Sequence, residues 1–510
     1  MQAVVQGIVQ AVVRARRVLL TGAAVSTTLM FCNGEVLAQT SAPADTQAVQ
    51  QQLQQQMRQL QQQEAQLRAL QQQLAEDEAK QRRAPAAATV ASRPASGPGL
   101  SGHFGSDGFT LRSDDGANQI HFRGNLAVDG RYYSDAYSPQ TDDTWLVRKL
   151  RPTLEGMLEN RYDFRIMPDF AQGKAILQDG WADARVRPWL VFEFGKFKAP
   201  VGLERLQLEQ FQRFIEASLP SDLLPYRDLG TKVGGNILRG VLNYDVGLFD
   251  GDVDGGSTDS NSVPDENATG KFTWEARLFV APFLKSGNEG LKKLGFGVAE
   301  TYVRDSGVAT TSTTTSLLAG YKTPGQQSMF SYRSNTASGY NNATIANGLE
   351  RRLVPQLNYY VGPFGLMSEY VTETQQVSRA ISATSVRHGT LKNDAWQVQG
   401  YWTITGESEG YDIAGPSHPV GQGGIGAWEL ALRYHVIEFD PQALTAGASS
   451  FANPATAPRA AHAVGAAVNW YLTYNFKVQL DYEVTRFTGG AIVGNRPAEH
   501  VLISQFSLVF

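Results

Sequence analysis

From about residue 104 to its end, the chain alternates apolar and polar residues with a period of two. The segments 120–129, 428–436 and 476–485 place an apolar side chain at every second position and mostly polar or charged ones between them. Successive side chains of a β-strand point to opposite faces of the sheet, so this period predicts strands with one apolar and one polar face. No helix-period segment of comparable length interrupts the series, and we expect an all-β body.

The connections between these strands distinguish a barrel from a soluble sandwich. The segments are about ten residues long and are joined alternately by short turns and long polar loops, which is typical of an outer-membrane barrel. Tryptophans lie near the strand ends, as the aromatic girdles of such barrels require. The predicted tight turns are Asn160, 362–363 and 473–475, the predicted long loops are 251–269, 375–392 and 438–460, and the tryptophans are Trp145, Trp189, Trp396, Trp402, Trp428 and Trp470.

The C-terminus supports the same architecture. Leu502, Phe506, Leu508 and Phe510 alternate on one face, and the chain stops on the phenylalanine. This ending is similar to the recognition signal of bacterial outer-membrane barrels, so we expect the barrel assembly machinery to bind Phe510. About sixteen strands, or eighteen with two short segments at 316–332, would enclose a water-filled lumen. The sequence therefore predicts an all-β, transmembrane antiparallel β-barrel that lies in outer-membrane lipid and works as a porin.

Three segments of different composition precede the barrel. Arginines followed by an apolar stretch and small residues predict a secretory signal peptide, with a soluble N-terminal helix as the alternative. Leucines at heptad-like spacing in a Gln-rich stretch predict a coiled-coil helix that self-associates, with a disordered tract as the alternative. The predicted boundaries are 1–38 for the signal peptide, 39–83 for the Gln-rich coiled coil, 84–103 for a Pro/Ala-rich linker and 104–510 for the barrel.

Composition excludes several other functions. A mean hydropathy of -0.27 and the lack of a long apolar run exclude a polytopic helical membrane protein. The single cysteine, Cys32, lies in the predicted signal peptide, so the mature chain has neither disulfides nor a catalytic thiol. A formal net charge of -4 gives no support for a nucleic-acid partner. The seven histidines lack metal-binding spacing and no G-x-S-x-G elbow occurs, so we expect no metal, no cofactor and no catalysis.

One stretch of the predicted barrel resembles a known family. Residues 195–206, GKFKAPVGLERL, resemble the most recognisable part of the phosphate-selective porin O and P family. The segments 214–230, 243–251, 428–434 and 468–472 fit the same pattern, so the resemblance spans about residues 104–510. It implies a homotrimer of sixteen-stranded barrels in which the third extracellular loop folds into the pore.

Residues 199–230 follow the fifth predicted strand and are the candidate for that loop. A loop this long in a compact fold is usually functional, and the alternative is an external loop packed over the rim. We predict a short amphipathic helix over 204–217 that turns Leu206, Phe211, Phe214 and Ile215 to the barrel wall and leaves Arg205, Glu209 and Arg213 in water. The predicted cations of this constriction loop are Arg205, Arg213 and Arg227.

Strand parity also assigns cations to the lumen, where rings of arginine and lysine make anion pores. Arg185 and Arg187 lie two residues apart, about 7 Å along one strand, so we expect an anion to pass between them. Arg148 and Lys149 are consecutive, so at most one should face the lumen. The candidate anion-conducting residues are Arg123, Arg151, Arg165, Arg185, Arg187, Arg277, Arg433 and Lys477.

The charge balance leaves the solute open. Inward carboxylates on neighbouring strands can pair with these cations and brace the wall, and residues 101–510 carry 36 basic and 43 acidic side chains, a formal net charge of -7. The arginine ladder of the phosphate-selective members is not matched here residue by residue. We predict a porin for passive diffusion of small anions such as phosphate or polyphosphate; the alternative is a general or differently selective porin for small organic solutes.

Overall fold

The computed structural model describes residues 99–134, 143–251, 271–412 and 415–510. The predicted signal peptide, the predicted coiled coil and residues 84–98 of the predicted linker lie outside the described residues, as does most of the predicted loop 251–269. No helix in these described ranges is long and apolar enough to span a membrane.

Sixteen antiparallel strands of the described residues close into a single barrel. The strands of the chain are β1 (Leu100–Gly105), β2 (Gly108–Ser113), β3 (Gln119–Ser134), β4 (Thr144–Leu158), β5 (Tyr162–Asp169), β6 (Ile176–Arg187), β7 (Leu190–Lys198), β8 (Arg227–Ile237), β9 (Leu242–Phe249), β10 (Thr273–Val280), β11 (Lys293–Ser306), β12 (Val308–Ala309), β13 (Thr314–Thr315), β14 (Tyr321–Lys322), β15 (Ser328–Phe330), β16 (Thr344–Val361), β17 (Phe364–Ala380), β18 (Val386–Thr403), β19 (Ala427–Glu438), β20 (Pro458–Tyr471), β21 (Phe476–Gly489) and β22 (Glu499–Val509).

The barrel consists of β3 to β11 and β16 to β22, each paired with the next, and β22 pairs with β3 to close it. This confirms the predicted sixteen-stranded antiparallel barrel. The two additional segments considered at 316–332 are not barrel strands, because β14 and β15 pair only with each other in the connection between β11 and β16.

A hairpin of β1 and β2 lengthens the wall beside β3. β2 pairs with residues 119–122 of β3, whereas β22 pairs with residues 125–134 of the same strand. The backbone of Phe510 exchanges two hydrogen bonds with Gly124, which fixes the end of the chain at this junction. The predicted boundary at residue 104 lies inside β1, four residues after that strand begins.

The burial pattern of the strands is the reverse of that in a water-soluble protein. Along β21, Asp481 and Glu483 are buried, while Leu480 and Tyr482 on the opposite face are exposed. Such strands are stable only if their outer face meets hydrocarbon, because an apolar surface of this size is unfavourable in water. The aromatic side chains of the outer face include Trp428, which stacks on Trp470 with ring centroids 4.9 Å apart.

The connections differ at the two ends of the barrel. One end, here the turn end, holds the C-terminus and the predicted tight turns, together with the long connection 404–426 between β18 and β19; the other, the loop end, holds most of the other long connections. Short turns are periplasmic and long loops extracellular in such barrels. The predicted loop 375–392 is wrong, because β17 continues to Ala380 and β18 begins at Val386. Thr372, Thr374 and Gln376 make its outward positions polar, so the hydropathy alternation fades while the hydrogen-bonded ladder continues.

Candidate pore constriction

The connection between β7 and β8, residues 199–226, lies inside the lumen and is called the constriction loop below. It contains one α-helical turn, α1 (Leu203–Leu206), and 3-10 turns at Glu209–Phe211 and Leu219–Leu223. Its position is fixed by the wall on the far side from β7. The backbone N–H of Ile215 donates to Asp481 on β21 at 2.6 Å, and that of Leu219 donates to His435 on β19 at 2.9 Å.

The predicted amphipathic helix over 204–217 is wrong, because the helix ends at Leu206 and Gln207, Leu208 and Gln212 are extended. Lysines of the barrel wall bind the carbonyl groups that a longer helix would use for itself. Lys198 donates to the carbonyl of Gln207 and Lys477 to that of Gln212, both at 2.7 Å. Partners on several sides of the lumen therefore replace the internal hydrogen bonds of a helix.

Two arginines predicted to face water are buried. Arg205 donates to the carbonyl oxygen of Ser221 and lies over the ring of Tyr226, with 4.7 Å between its Cζ and the ring centroid. Arg213 is paired with Glu409 at 2.8 Å and lies 3.4 Å from Glu429. The prediction that Arg205 and Arg213 line the water path is wrong, because the loop is enclosed by wall on the sides that an isolated amphipathic segment would expose. Of the predicted wall contacts, Phe214 and Ile215 are buried.

A second segment reaches the constriction loop from the turn end. It follows β18, and its Glu409 pairs with Arg213; both side chains are 0% exposed. The carbonyl groups of Gly410 and Tyr411 also accept hydrogen bonds from Arg213, and the hydroxyl of Tyr411 donates to the carbonyl of Leu203 at 2.5 Å. The constriction loop is therefore held by this turn-end segment as well as by the barrel wall.

Three glutamates of the constriction loop meet cations of the barrel wall. Glu204 accepts hydrogen bonds from Gln397 and Gln399 at 3.0 Å and lies 3.5 Å from Arg433. Glu216 pairs with Arg131 at 2.5 Å and with Arg148 at 2.9 Å. Both carboxylates are buried, and their partners lie on two different parts of the wall, β18–β19 and β3–β4. The loop therefore spans the lumen between two charged anchors.

The third glutamate, Glu209, collects donors from one side of the wall. Its Oε2 lies 3.0 Å from Nζ of Lys149 and also binds Arg151, and its Oε1 accepts from the hydroxyl of Tyr226 at 2.5 Å. Arg227 approaches the same Oε1 at 3.3 Å. Burial raises the pKa of Glu209, but the charges of Arg151, Lys149 and Arg227 outweigh it and hold this pKa well below its usual range. Glu209 is therefore ionised.

A β-bulge brings both Arg148 and Lys149 to the lumen. The register between β3 and β4 runs from the pair of Ala127 with Lys149 to the pair of Val128 with Val147, so Arg148 is the extra residue. Both cations are buried and bind loop glutamates. The prediction that at most one of them faces the lumen is wrong, because a bulge interrupts the alternation on which strand parity depends.

A cavity of about 250 Å³ lies between the constriction loop and the wall of β3 to β8, towards the turn end. We call it the basic cavity, because its lining has six cations and four carboxylates. Its cations are Arg123, Arg151, Arg165, Lys198, Arg227 and Lys232, and its carboxylates are Glu155, Asp179, Glu193 and Glu209.

The cations of the basic cavity are held by acidic side chains on nearby strands. Glu155 pairs with Arg123 at 2.8 Å and with Arg165 at 2.7 Å. Asp179 accepts from Arg227 at 2.6 Å. Of the predicted site residues, Arg123, Arg151, Arg165 and Arg227 are the four that the structure brings together around this cavity.

A smaller pocket of about 40 Å³, called the acidic recess, lies on the loop-end side of the constriction loop beside Leu224 and Pro225. Its charged residues are Asp228, Glu275, Asp305, Glu350 and Arg352, four carboxylates and one cation. The basic cavity and the acidic recess therefore carry opposite excess charge.

No group of three or more potential metal ligands among the described residues has the arrangement to hold a metal ion.

The remaining predicted lumenal cations lie outside the basic cavity. Arg433 and Lys477 are buried under the constriction loop, where Arg433 binds Glu483 and the carbonyl of Glu216. Arg277 points inward and donates to Gln356 at 3.0 Å. Arg185 lies near the turn end, where it pairs with Asp163 and keeps 49% of its side-chain surface exposed.

Arg187 does not share the face of Arg185. A register shift pairs Arg185 with Val191 but Arg187 with Leu190, so that Val186 is the extra residue. Arg187 is thereby moved to the opposite strand parity, and its guanidinium donates to the carbonyl of Val186 at 3.1 Å. The prediction that an anion passes from Arg185 to Arg187 is contradicted by this bulge.

Sequence reasoning left open whether Lys149 faces the lumen and missed two further cations of this region, Lys198 and Lys232. Lys232 lies directly opposite Glu193 in the register of β7 and β8, and the two side chains pair at 3.0 Å. The inward parity of Glu193 was a usable signal, because a buried carboxylate requires a cation nearby. The residue that supplies this cation depends on strand register, which hydropathy alone does not give.

Comparison with known proteins finds a matching family model, a relative in sequence and similar structures. The model of the family described as phosphate-selective porin O and P matches residues 119–486. Porin O of Pseudomonas aeruginosa is 22% identical over 398 residues, which cover 74% of this chain and 84% of that protein. In structure, the chain is similar to the anion-selective porin of Comamonas acidovorans (10% identity, 77% of this chain, 100% of that chain, TM-score 0.46). It is also similar to the outer-membrane channel DcaP of Acinetobacter baumannii (9% identity, 78% and 99% covered, TM-score 0.46). The family match extends over most of the chain and nearly all of the barrel, and on this ground the chain belongs to the phosphate-selective porin O and P family of outer-membrane channels.

Proposed function

We propose that this porin passes small inorganic oxyanions, such as phosphate or polyphosphate, by passive diffusion past the constriction loop. The observation that carries the proposal is the charge of the basic cavity, where six cations face four carboxylates. This local excess of positive charge occurs in a barrel whose formal net charge is -7. Anion selectivity depends on the charges that a permeating ion meets, and not on the sum over the whole protein.

The arrangement of charges suits conduction rather than tight binding. Arg123 and Arg165 share Glu155, so each cation is partly neutralised before an anion arrives. Water is restricted in such a cavity, which strengthens the attraction of the remaining charge for an anion. An anion must also leave on the far side, and partial neutralisation keeps its binding weak enough for that. The process requires no cofactor and no chemical step.

Within this proposal the predicted cations have two different roles. Arg123, Arg151, Arg165 and Arg227 meet the solute, while Arg433 and Lys477 position the constriction loop. We further propose that the porin is a homotrimer, as the family resemblance implies, with the outer apolar face in outer-membrane lipid and Phe510 as the contact of the barrel assembly machinery. The position of Phe510 at the turn end, hydrogen-bonded to Gly124, is compatible with that contact.

The test is the reversal potential of the purified trimer in a planar bilayer under a KCl gradient, followed by titration with phosphate. We expect anion selectivity and a chloride current that falls as phosphate is added, because phosphate occupies the same cations more strongly than chloride does. Cation selectivity without block by phosphate would contradict the proposal. It would favour the alternative, a general porin for small organic solutes in which the inward ion pairs only brace the wall.

A further inference from the structure

We propose that Glu209 is a resident counter-ion, which occupies an oxyanion site built from Lys149, Arg151, Tyr226 and Arg227. An anion that crosses the constriction must replace the carboxylate of Glu209 at this site. The inference rests on the proposed function and deepens it, because it gives the site where the anion is bound and the group with which it competes.

The geometry around Glu209 is that of a bound oxyanion. Four donor side chains converge on the two oxygens of one carboxylate: an ammonium and a guanidinium at Oε2, and a phenol and a second guanidinium at Oε1. Charge-assisted donors of this kind recognise phosphate and carboxylate alike. The same donors can therefore bind a phosphate-class anion when the carboxylate of Glu209 moves away.

The two arginines of the site are oriented by partners other than Glu209. Nε of Arg151 donates to Asp169 at 2.6 Å, and Nε of Arg227 donates to Asp179 at 2.6 Å. Each guanidinium is thus oriented by a carboxylate of the wall and uses its terminal nitrogens towards Glu209. A site whose donors are already oriented loses little free energy in ordering them when a ligand binds.

Glu209 differs from the other two loop glutamates in its surroundings. Glu204 accepts hydrogen bonds from Ser218 and Ser221 of its own loop, and Glu216 is buried between Arg131 and Arg148. Glu209 instead lines the basic cavity, at the start of a single 3-10 turn whose neighbour Leu208 is exposed. It is therefore the loop carboxylate that a solute in this cavity meets.

A carboxylate attached to the loop competes with a free anion at a high effective concentration, of millimolar order for a short linker. This competition lowers the apparent affinity of the site for phosphate. It also gives the bound anion a replacement when it leaves, so that the cations of the site are neutralised before and after each passage.

The experiment compares Glu209→Gln with Glu193→Gln in planar bilayers. Glu193 lines the same cavity and pairs with Lys232 at 3.0 Å, so its replacement removes the same charge without vacating the proposed site. We expect Glu209→Gln to lower the phosphate concentration that halves the chloride current by about tenfold, which corresponds to the loss of one competing ligand worth about 1.4 kcal/mol. For Glu193→Gln we expect a change of about twofold or less, since only the long-range charge differs.

Equal effects of the two variants would overturn the inference and leave the proposed function intact, because general charge would then explain both. Cation selectivity in the unmodified trimer and in both variants would instead contradict the proposed function itself. Glu209→Asp keeps the charge on a shorter side chain and tests the case in which Glu209→Gln does not assemble. Its half-blocking phosphate concentration should lie below that of the unmodified trimer, and a value equal to or above it would overturn the inference.

Discussion

The basic cavity and the acidic recess lie on either side of the constriction loop, yet they carry opposite charge. The cavity has six cations and four carboxylates in about 250 Å³, whereas the recess has four carboxylates and one cation in about 40 Å³. A net charge of -7 for residues 101–510 describes neither of them. The comparison shows that the loop distributes charge between compartments, and that selectivity depends on which compartment is wide enough for a hydrated ion.

The largest expected effect follows from removing Arg213, which supports the constriction loop between the basic cavity and the acidic recess. Arg213→Ala leaves Glu409 and Glu429 buried without their cation, a change that typically costs about 3–5 kcal/mol of folding free energy. We expect lower stability, a larger single-channel conductance and weaker ion selectivity, since the constriction loop loses its hold on the segment after β18 and on Glu429 of β19. Denaturant unfolding in detergent and single-channel recording measure these changes. Arg304→Ala, at an exposed outer position, is the control and should change stability by about 0.5 kcal/mol or less.

The second effect concerns the sign of the basic cavity. Arg151→Glu combined with Arg165→Glu changes six cations and four carboxylates into four cations and six carboxylates. We expect the reversal potential under a KCl gradient to change sign towards cation selectivity. The matched control is Arg304→Glu with Arg351→Glu, which alters the same charge at exposed positions of the outer face and should leave the sign unchanged. Retained anion selectivity in the cavity variant would show that the solute path avoids the cavity.

A smaller effect should distinguish the recess from the cavity directly. Glu350→Gln removes one carboxylate from the recess, where Arg352 keeps its second partner Glu373 at 3.0 Å. Glu193→Gln removes one carboxylate from the cavity. We expect the shift in reversal potential towards anions to be greater for Glu193→Gln, because the recess is too small to conduct. A greater shift for Glu350→Gln would reverse the assignment of the two compartments.

The smallest effect is expected at the turn end. Arg185→Glu with Arg187→Glu was the natural test from sequence alone, but Arg185 is half exposed and paired with Asp163, and Arg187 lies past a bulge. Exposed ion pairs are worth about 0–1 kcal/mol and are screened by salt. We therefore expect only a slight shift of the reversal potential, measured at low and high ionic strength. A shift as large as that of the Arg151 and Arg165 double variant would restore the role that parity assigned to these arginines.

The fold followed from the sequence because the period of two extends over hundreds of residues, and sixteen such segments leave few alternatives. The errors in predicted side-chain direction occur where a single extra residue changes the phase of the alternation. The bulge at Arg148 turns an additional cation inward, and the bulge at Val186 turns Arg187 away. Neither bulge alters the hydropathy pattern enough to be recognised, because the flanking residues still alternate on each side.

The site was harder to predict than the fold because its partners are distant in the chain. Of the three constriction-loop cations predicted from the sequence, Arg227 lines the basic cavity, but Arg205 and Arg213 are internal supports. The loop glutamates instead bind the cations of the wall: Glu216 meets Arg131, 85 residues earlier. Which charges meet depends on strand register and on the path of the loop through the lumen, and local patterns contain neither.

The contacts of the constriction loop are distributed over strands that are distant in the chain, and this has a consequence for how the porin is assembled. Glu209 finds its cations on β4 and β8, but the backbone of Arg213 and Ile215 requires Asn469 on β20 and Asp481 on β21. A barrel that stalls with only its first strands in place holds this loop at one edge. The constriction is therefore completed late in assembly, after nearly all strands have joined. A chain trapped before β3 pairs with β22 would form an unselective opening rather than a selective channel.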